Sequence, residues 1–202
     1  MRYFQEQHVL ELDAARKFAA TNQRLSSSLP PASGARGSLD SLVQGSLVDL
    51  FAAYSVAVAP LPRSGRRTAL DLPEISAAVS FLSNSDQGLL TLSVPPTVLD
   101  LMPATQGGTL KRDWARELAN QLVGRLKNRL LQFNVRLQVG ISSLVEANKL
   151  SRQLESETGL RIYRGRTLRG EVTVTLRGMP DAAHLVYQGQ ATPRSEGEAI
   201  LF

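Results

Sequence analysis

Glu117 and Asn120 are the two residues of this sequence whose types and spacing best suit a functional site. The surrounding pattern predicts a helix, and residues three apart on a helix lie side by side. A carboxylate and an amide would therefore be presented together. The pair is weak evidence by itself, because a carboxylate near a helix N-terminus is also stabilised by the helix dipole, by about 0.3–1 kcal/mol.

The helix that must position this pair is predicted over about residues 110–132. When each residue advances by about 100°, the apolar residues fall on one half of the helix. This predicted core face consists of Ala115, Leu118, Ala119, Leu122, Val123, Leu126 and Leu130. We expect the other half to be exposed. It holds Glu117, Asn120, Gly124, Lys127 and Asn128.

Two neighbours of the pair have their own interpretation. Gly124 lies one turn beyond Asn120, where a glycine costs a helix about 1 kcal/mol relative to alanine. Because it has no side chain, the backbone of another molecule could approach the helix closely there, although the glycine could also be merely tolerated. Asp113 is predicted to be the N-cap of the helix.

The composition excludes several classes of site. The chain of 202 residues has no cysteine, which rules out disulfides, thiolate catalysis and the usual zinc sites. Its two histidines, His8 and His184, are far apart in the sequence. The net charge is +5, but aromatic residues make up only 5% of the chain, and the basic runs at 63–67 and 161–169 are not interleaved with aromatics except at Tyr163. This pattern is more typical of solvated loops and strand edges than of a nucleic-acid surface.

Three segments are predicted from local composition. Residues 1–25 have a helical pattern and form an N-terminal appendage, residues 26–38 form a linker rich in Ser, Pro and Gly, and residues 39–202 form the main domain. No secretory h-region and no apolar run of about 20 residues is present, so we expect a cytoplasmic protein that does not enter a membrane.

The main domain is predicted to be α+β. A helix capped by Ser38 or Asp40 leads into a strand, and a short helix starts at Pro95–Pro96 between the strands and the long helix. The predicted strands are 56–59, 75–82 and 88–94 as a hairpin, 133–141, 160–163, 171–176 and 183–187. Runs of strands between helices favour an α+β sandwich. The chain has no Gly-rich phosphate loop, which excludes kinase-type and dinucleotide-type sites.

The spacing Asp113-x3-Glu117-x2-Asn120 resembles the signature of the CheX, CheC and FliY family of bacterial chemotaxis phosphatases. The sequence from Glu117 to Leu130 is similar to the single-motif CheX branch, and the helix-to-strand entry and the hairpin at 75–94 fit the family's order. The resemblance covers about residues 40–190. It implies a sandwich in which long helices pack on a mainly antiparallel sheet.

The resemblance also implies a function, which is dephosphorylation of a phosphorylated CheY-like response regulator. Asn120 would orient a water for attack on the phospho-aspartate, and Glu117 would pair with the regulator's active-site lysine. Asp113, Gly124 and Lys127 would contact the partner, although the sequence alone favours an ordinary solvated lysine at Lys127. This chain would need no cofactor or metal of its own, because Mg²⁺ is expected on the regulator. A homodimer is also implied.

The sequence departs from the family pattern at one position and leaves two other functions open. Ser143 stands where the family has a proline, which would shape the backbone after the strand. CheC proteins carry a second motif on an earlier helix, but Asp40-x3-Gln44-x2-Leu47 lacks the pair, so one site per chain is expected. A CheX-like binding module without hydrolysis is the alternative function. A structural component related to flagellar switch proteins is the weaker third, because a scaffold does not need the Glu-x-x-Asn pair.

Overall fold

The computed structural model describes residues 38–62, 72–73, 75–83, 86–102, 108–146, 159–179 and 185–188. The chain divides between Ala32 and Ser33 into two units, and all of these residues belong to the second. The predicted appendage at 1–25, nearly all of the linker, the basic run at 63–67 and the two histidines lie outside the described residues. The three-segment division of the chain therefore stays a prediction.

The described residues form three helices and six strands. The helices are α1 (Leu39–Ala52), α2 (Pro96–Leu99) and α3 (Gly108–Leu131). The strands are β1 (Ala59–Pro60), β2 (Ile75–Ser83), β3 (Asp86–Val94), β4 (Leu137–Val145), β5 (Arg161–Thr167) and β6 (Gly170–Arg177). They form one sheet in the order β1-β5-β6-β3-β2-β4, in which every neighbouring pair is antiparallel. The predicted α+β class with a mainly antiparallel sheet is confirmed.

The sheet order contains an internal twofold repeat. The series α1-β1-β2-β3 is followed by α3-β4-β5-β6, and the central pair β3–β6 joins the two halves. Outward from this pair, β2 is bordered by β4 and β5 is bordered by β1, so each half lends its first strand to the edge of the other. The two long helices therefore occupy equivalent positions in the two halves.

Both long helices end in the same way. Ser55 after α1 and Asn134 after α3 have positive φ angles of 61° and 57°. In each case the next amide reaches back to the helix, Val56 N to Phe51 O at 3.0 Å and Val135 N to Leu130 O at 3.2 Å. This left-handed ending satisfies carbonyl groups that would otherwise lack a partner. At the other end of α1, the side chain of the predicted cap Ser38 accepts from Ser41 N at 3.4 Å.

The core lies between the two long helices and one face of the sheet. α3 packs against α1 and against β2, β3 and β4, whereas α1 packs against β5 and β1. The predicted apolar face of α3 is buried throughout, which confirms the assignment of its core half. No helix among the described residues has both the length and the apolar character needed to cross a membrane.

Two predicted strands were placed wrongly, and a third lies partly outside the described residues. The strand at 56–59 is reduced to Ala59–Pro60, because the turn at Ser55 delays its pairing with β5. The strand at 133–141 begins only at Leu137, since Phe133 and Asn134 belong to the turn that ends α3. The strand at 183–187 appears, in the part that is described, only as a single bridge residue at Val186. Apolar alternation alone did not distinguish a helix-terminating turn from a strand.

Candidate functional site

The candidate site lies on the solvent side of α3. Glu117, Asn120 and Lys127 are exposed, and Gly124 is half-buried on the same side. The residues on the opposite face of α3, such as Leu118 and Leu122, are buried. The expectation that helical geometry presents Glu117 and Asn120 together on an exposed face is thus confirmed.

Glu117 is tied to a second helix through Gln121. Gln121 Nε2 donates to Glu117 Oε1 at 2.9 Å, and Gln121 Oε1 in turn accepts from the Tyr54 hydroxyl at 2.9 Å. The Tyr54 ring packs edge-on against Trp114, with centroids 5.4 Å apart and an interplanar angle of 79°. The carboxylate of Glu117 is therefore connected to the end of α1 by two consecutive hydrogen bonds.

Gln121 and Tyr54 were missed by the reasoning from sequence. The pair Glu117–Gln121 has the i,i+4 spacing at which side chains on a helix interact, and this spacing could have been noticed. Tyr54 could not have been found, because its contact with Gln121 depends on how α1 and α3 pack together.

The side chain of Asn120 is exposed and makes no hydrogen bond to any residue that the structure describes. The amide offers two N–H donors and one carbonyl acceptor. All of these are available to a molecule that approaches α3 from solvent. Glu117 Oε2 is likewise without a partner among the described residues.

Gly124 lies in open space. A Cβ added there would have no neighbouring atom within 4 Å, so no contact within the described chain requires a glycine. Aligning α1 and α3 at Ser55 and Asn134 places Gly45 opposite Gly124, and there the situation differs. A Cβ on Gly45 would collide with the guanidinium of Arg129, which crosses α1 and pairs with Asp49. Packing explains the glycine of α1 and leaves that of α3 unexplained.

Asp113 is not the N-cap, and this prediction was wrong. α3 begins at Gly108, so Asp113 lies in its second turn, where it is exposed. Its carboxylate is 3.8 Å from Arg116 Nη1, a loose i,i+3 ion pair between side chains that are 62% and 43% exposed. The helix starts two residues before the predicted start at about 110. In the first turns of the same helix, Lys111 Nζ lies 2.5 Å from Asp100 Oδ1, and this ion pair connects α3 to the end of α2.

The charge on this face is mixed. Arg116 and Lys127 lie on either side of Asn120 along the helix, and Asp113 and Glu117 lie beside them. No group of three or more His, Cys, Asp or Glu residues that could hold a metal ion occurs among the described residues. The exposed face of α3 can therefore bind through charge and hydrogen bonds, and it offers no strong nucleophile.

Solved structures of chemotaxis proteins share this architecture. The CheX protein of Desulfovibrio desulfuricans matches with a TM-score of 0.57 at 11% identity, over 68% of this chain and 97% of that one. A CheC-like protein of Shewanella sp. PV-4 matches with a TM-score of 0.58 at 14% identity, over 68% of this chain and 95% of that one. The fold is that of the CheX and CheC proteins.

A third CheX/CheC-like structure contains a partner. It is the complex of CheX with CheY, BeF₃ and Mg²⁺ from Borrelia burgdorferi, and its match has a TM-score of 0.56 at 9% identity, over 69% of this chain and 97% of that one. No protein-family model matches this chain, and no curated protein matches its sequence. The likeness to CheX and CheC is one of fold.

Within the CheX/CheC-like fold, the structure places both Ser143 and the part of α1 that would carry a second motif. Ser143 lies inside β4, exposed and opposite Ala78 of β2, and not after the strand as expected. On α1, the alignment at the helix ends places Ser38 and Ser41 opposite Glu117 and Asn120. Neither that alignment nor the spacing from Asp40 gives α1 a Glu-x-x-Asn pair.

Proposed function

We propose that this protein dephosphorylates a phosphorylated CheY-like response regulator through Glu117 and Asn120 on α3. The observation that carries the proposal is the exposed pair itself, with an Asn120 amide that has no partner among the described residues, in a chain that has the CheX/CheC fold. A CheX protein of this fold has been solved in complex with CheY, so the fold is compatible with docking a receiver domain. The protein would act as an aspartyl-phosphate phosphatase in the cytoplasm, in chemotaxis or a related two-component pathway.

The reaction would be hydrolysis of an acyl phosphate on the partner. A water molecule attacks phosphorus, the bond between phosphorus and the aspartate oxygen breaks, and the products are inorganic phosphate and the free carboxylate. Asn120 would orient this water in line with the leaving carboxylate. Catalysis of this kind is mainly positioning and electrostatic stabilisation, so it needs no nucleophile on this chain. Mg²⁺ bound by the regulator would neutralise charge on the phosphoryl oxygens.

Glu117 would set the docking register. Its oxygen Oε2, which has no partner among the described residues, can accept from a cationic side chain of the partner, which we propose to be the active-site lysine of the receiver. An exposed ion pair contributes only about 0–1 kcal/mol, but the contribution grows when an interface excludes water. Arg116 and Lys127, on the same face, would favour an acidic phosphorylated surface.

Gly124 supports the proposal because it leaves room for a partner to approach α3 closely. A residue that costs helix stability and that no described contact requires is accounted for if another backbone passes close to it. The partner would then lie along α3 from Glu117 to Lys127, with Asp113 at its rim.

The deciding experiment measures phosphate release from purified receiver domains of the source organism, phosphorylated with acetyl phosphate and then freed of it. The wild-type chain should accelerate release. Asn120→Ala should lower the rate about 100-fold or more, as loss of an orienting or stabilising donor does in other enzymes, while binding persists. Gln87→Ala, an exposed polar residue at the β2–β3 hairpin, serves as the control and should match wild type.

The same experiment separates the alternative function. If the wild-type chain binds the receivers and leaves the rate of phosphate release unchanged, it is a CheX-like binding module. If it neither binds nor dephosphorylates any of them, a role on CheY-like receivers is excluded.

We also propose that the protein forms a homodimer through β4. Among the described residues, β4 pairs only with β2, so its outer edge is open. Its nine residues include no charge and no proline, and Val139, Ile141 and Leu144 are exposed. The opposite edge strand, β1, has only two residues and ends in Pro60. An open apolar edge of this kind can pair with its own copy about a twofold axis.

A further inference from the structure

Glu117 is held in place from outside its own helix. On an isolated helix a Glu–Gln pair at i,i+4 forms and breaks readily, because it stabilises the helix only slightly. Here the Gln121 amide is itself fixed, since its oxygen accepts from the Tyr54 hydroxyl of the α1 end at 2.9 Å. The Tyr54 ring is in turn packed edge-on against Trp114. Tyr54, at the end of α1, therefore restrains Gln121, and Gln121 in turn restrains the carboxylate of Glu117.

We propose that Gln121 and Tyr54 are positioning residues that preorganise Glu117 for docking the partner. Gln121 occupies Oε1 and fixes the plane of the carboxylate, so that Oε2 remains available to the partner's cation. A flexible glutamate loses rotamer freedom when it binds, and a glutamate already held in one rotamer loses less. The inference rests on the proposed function and adds two residues outside the Asp-x3-Glu-x2-Asn pattern.

The contacts on α3 also distinguish the docking role of Glu117 from the hydrolytic role of Asn120. The hydrogen bonds from Tyr54 and Gln121 end at Glu117, whereas the Asn120 side chain has no hydrogen bond to any described residue. Loss of Gln121 or of the Tyr54 hydroxyl should therefore weaken docking and spare the hydrolytic step. A structural role for the same contacts would lower stability and affect both steps together.

The first measurement compares wild type with Gln121→Met, a substitution of similar length that removes both hydrogen bonds. The dissociation constant for a beryllofluoride-loaded receiver should rise about threefold to tenfold, which corresponds to immobilising one side chain. The turnover rate at saturating phosphorylated receiver should stay within about twofold of wild type. Tyr54→Phe, which keeps the ring against Trp114, should weaken binding in the same direction.

The second measurement is a double-mutant cycle with Glu117→Ala. In that background Gln121→Met should have no further effect on the dissociation constant, because the residue that it positions is gone. Gln87→Met provides the matched control, with the same chemical change at an exposed glutamine of the hairpin. Melting temperatures identify any variant that fails to fold, and Tyr54→Phe then carries the test.

The outcomes are distinct. Equal binding by wild type, Gln121→Met and Tyr54→Phe overturns this inference and leaves the proposed function intact. The inference also fails if Gln121→Met costs as much binding in the Glu117→Ala background, or if it lowers turnover without weakening binding. A wild-type chain that neither binds nor dephosphorylates a receiver overturns the proposed function, on which the inference depends.

Discussion

The glycines of the two long helices, Gly45 and Gly124, differ in whether there is space for a side chain. An alanine methyl at Gly45 would meet the guanidinium of Arg129, and one at Gly124 would meet nothing within 4 Å. Glycine in a helix interior is less favourable than alanine by about 0.8–1 kcal/mol. The chain therefore gives up stability at Gly124 without gaining a described internal contact, and the proposed approach of a partner to α3 would account for this glycine.

Gly124→Ala should consequently stabilise the protein and impair its function. The free energy of unfolding should rise by about 0.5–1 kcal/mol, which moves the melting temperature by about 1–4 °C in a chain of this size. The added methyl should weaken binding of a phosphorylated receiver by about tenfold, since overpacking at a close contact costs about 1–3 kcal/mol. Thermal melts and titration with a beryllofluoride-loaded receiver measure the two effects.

Gly45→Ala is the control for this substitution. It adds the same methyl to the other long helix, but the methyl must displace Arg129 from its place across α1. We expect no rise in melting temperature and no direct effect on receiver binding. Unchanged receiver binding by Gly124→Ala would remove the shape argument for a partner on α3.

At the scale of elements, α1 is fastened to the sheet through its first turn. The hydroxyl of Tyr163 in β5 donates to Asp40 Oδ1 at 2.9 Å, and Arg161 Nη1 lies 3.5 Å from the same oxygen. The Tyr163 side chain is 2% exposed, so water replaces this hydrogen bond poorly if it is broken. The bond stabilises the position of α1, and with it the position of Tyr54 at the other end of that helix.

Tyr163→Phe should therefore lower the free energy of unfolding by about 1.5–3 kcal/mol, the range for a hydrogen bond to a charged group. Urea denaturation measures it as a shift of the midpoint with an unchanged slope. Tyr187→Phe is the matched control, because Tyr187 is also buried but its hydroxyl has no hydrogen bond to a described residue. Equal losses in the two variants would show that Asp40 does not fasten α1.

The elements also show which parts of the fold can be predicted from sequence. The face of α3, the β2–β3 hairpin and the short helix after Pro95 were predicted correctly, because each depends on local periodicity or on proline chemistry. The turns that follow the two long helices were not, since Ser55 and Asn134 adopt a left-handed conformation that is more often found for glycine. As a result, the strands after both helices were placed too early.

The candidate site shows the same division. Glu117 and Asn120 could be placed on one exposed face from the 3.6-residue period alone. The link from Tyr54 through Gln121 could not, because it joins residues of two different helices.

β4 was also predicted wrongly. Its pairing register shifts between Val79 and Phe81 of its partner β2, and this bulge interrupts the alternation of buried and exposed residues.

At the scale of the whole molecule, two opposing effects act on the open edge of β4. A bulge protects an edge strand from pairing, and β4 carries one opposite Val79–Phe81. However, Ile141, which is 87% exposed, lies in that bulge, and no charged residue of β4 discourages pairing. Full burial of one such side chain contributes about 1.5–3 kcal/mol, and a twofold interface buries it on both copies. We therefore expect pairing to prevail.

Ile141→Lys tests this balance. A lysine in the middle of β4 should leave the fold intact, because the side chain points to solvent in the single chain, and should convert the dimer to a monomer. Light scattering after size exclusion gives the mass. Leu168→Lys, at the β5–β6 turn where the leucine is 72% exposed, should remain a dimer. A wild-type chain that is monomeric at micromolar concentration would show that the bulge is sufficient to protect the edge, and that the site on α3 acts in single copies.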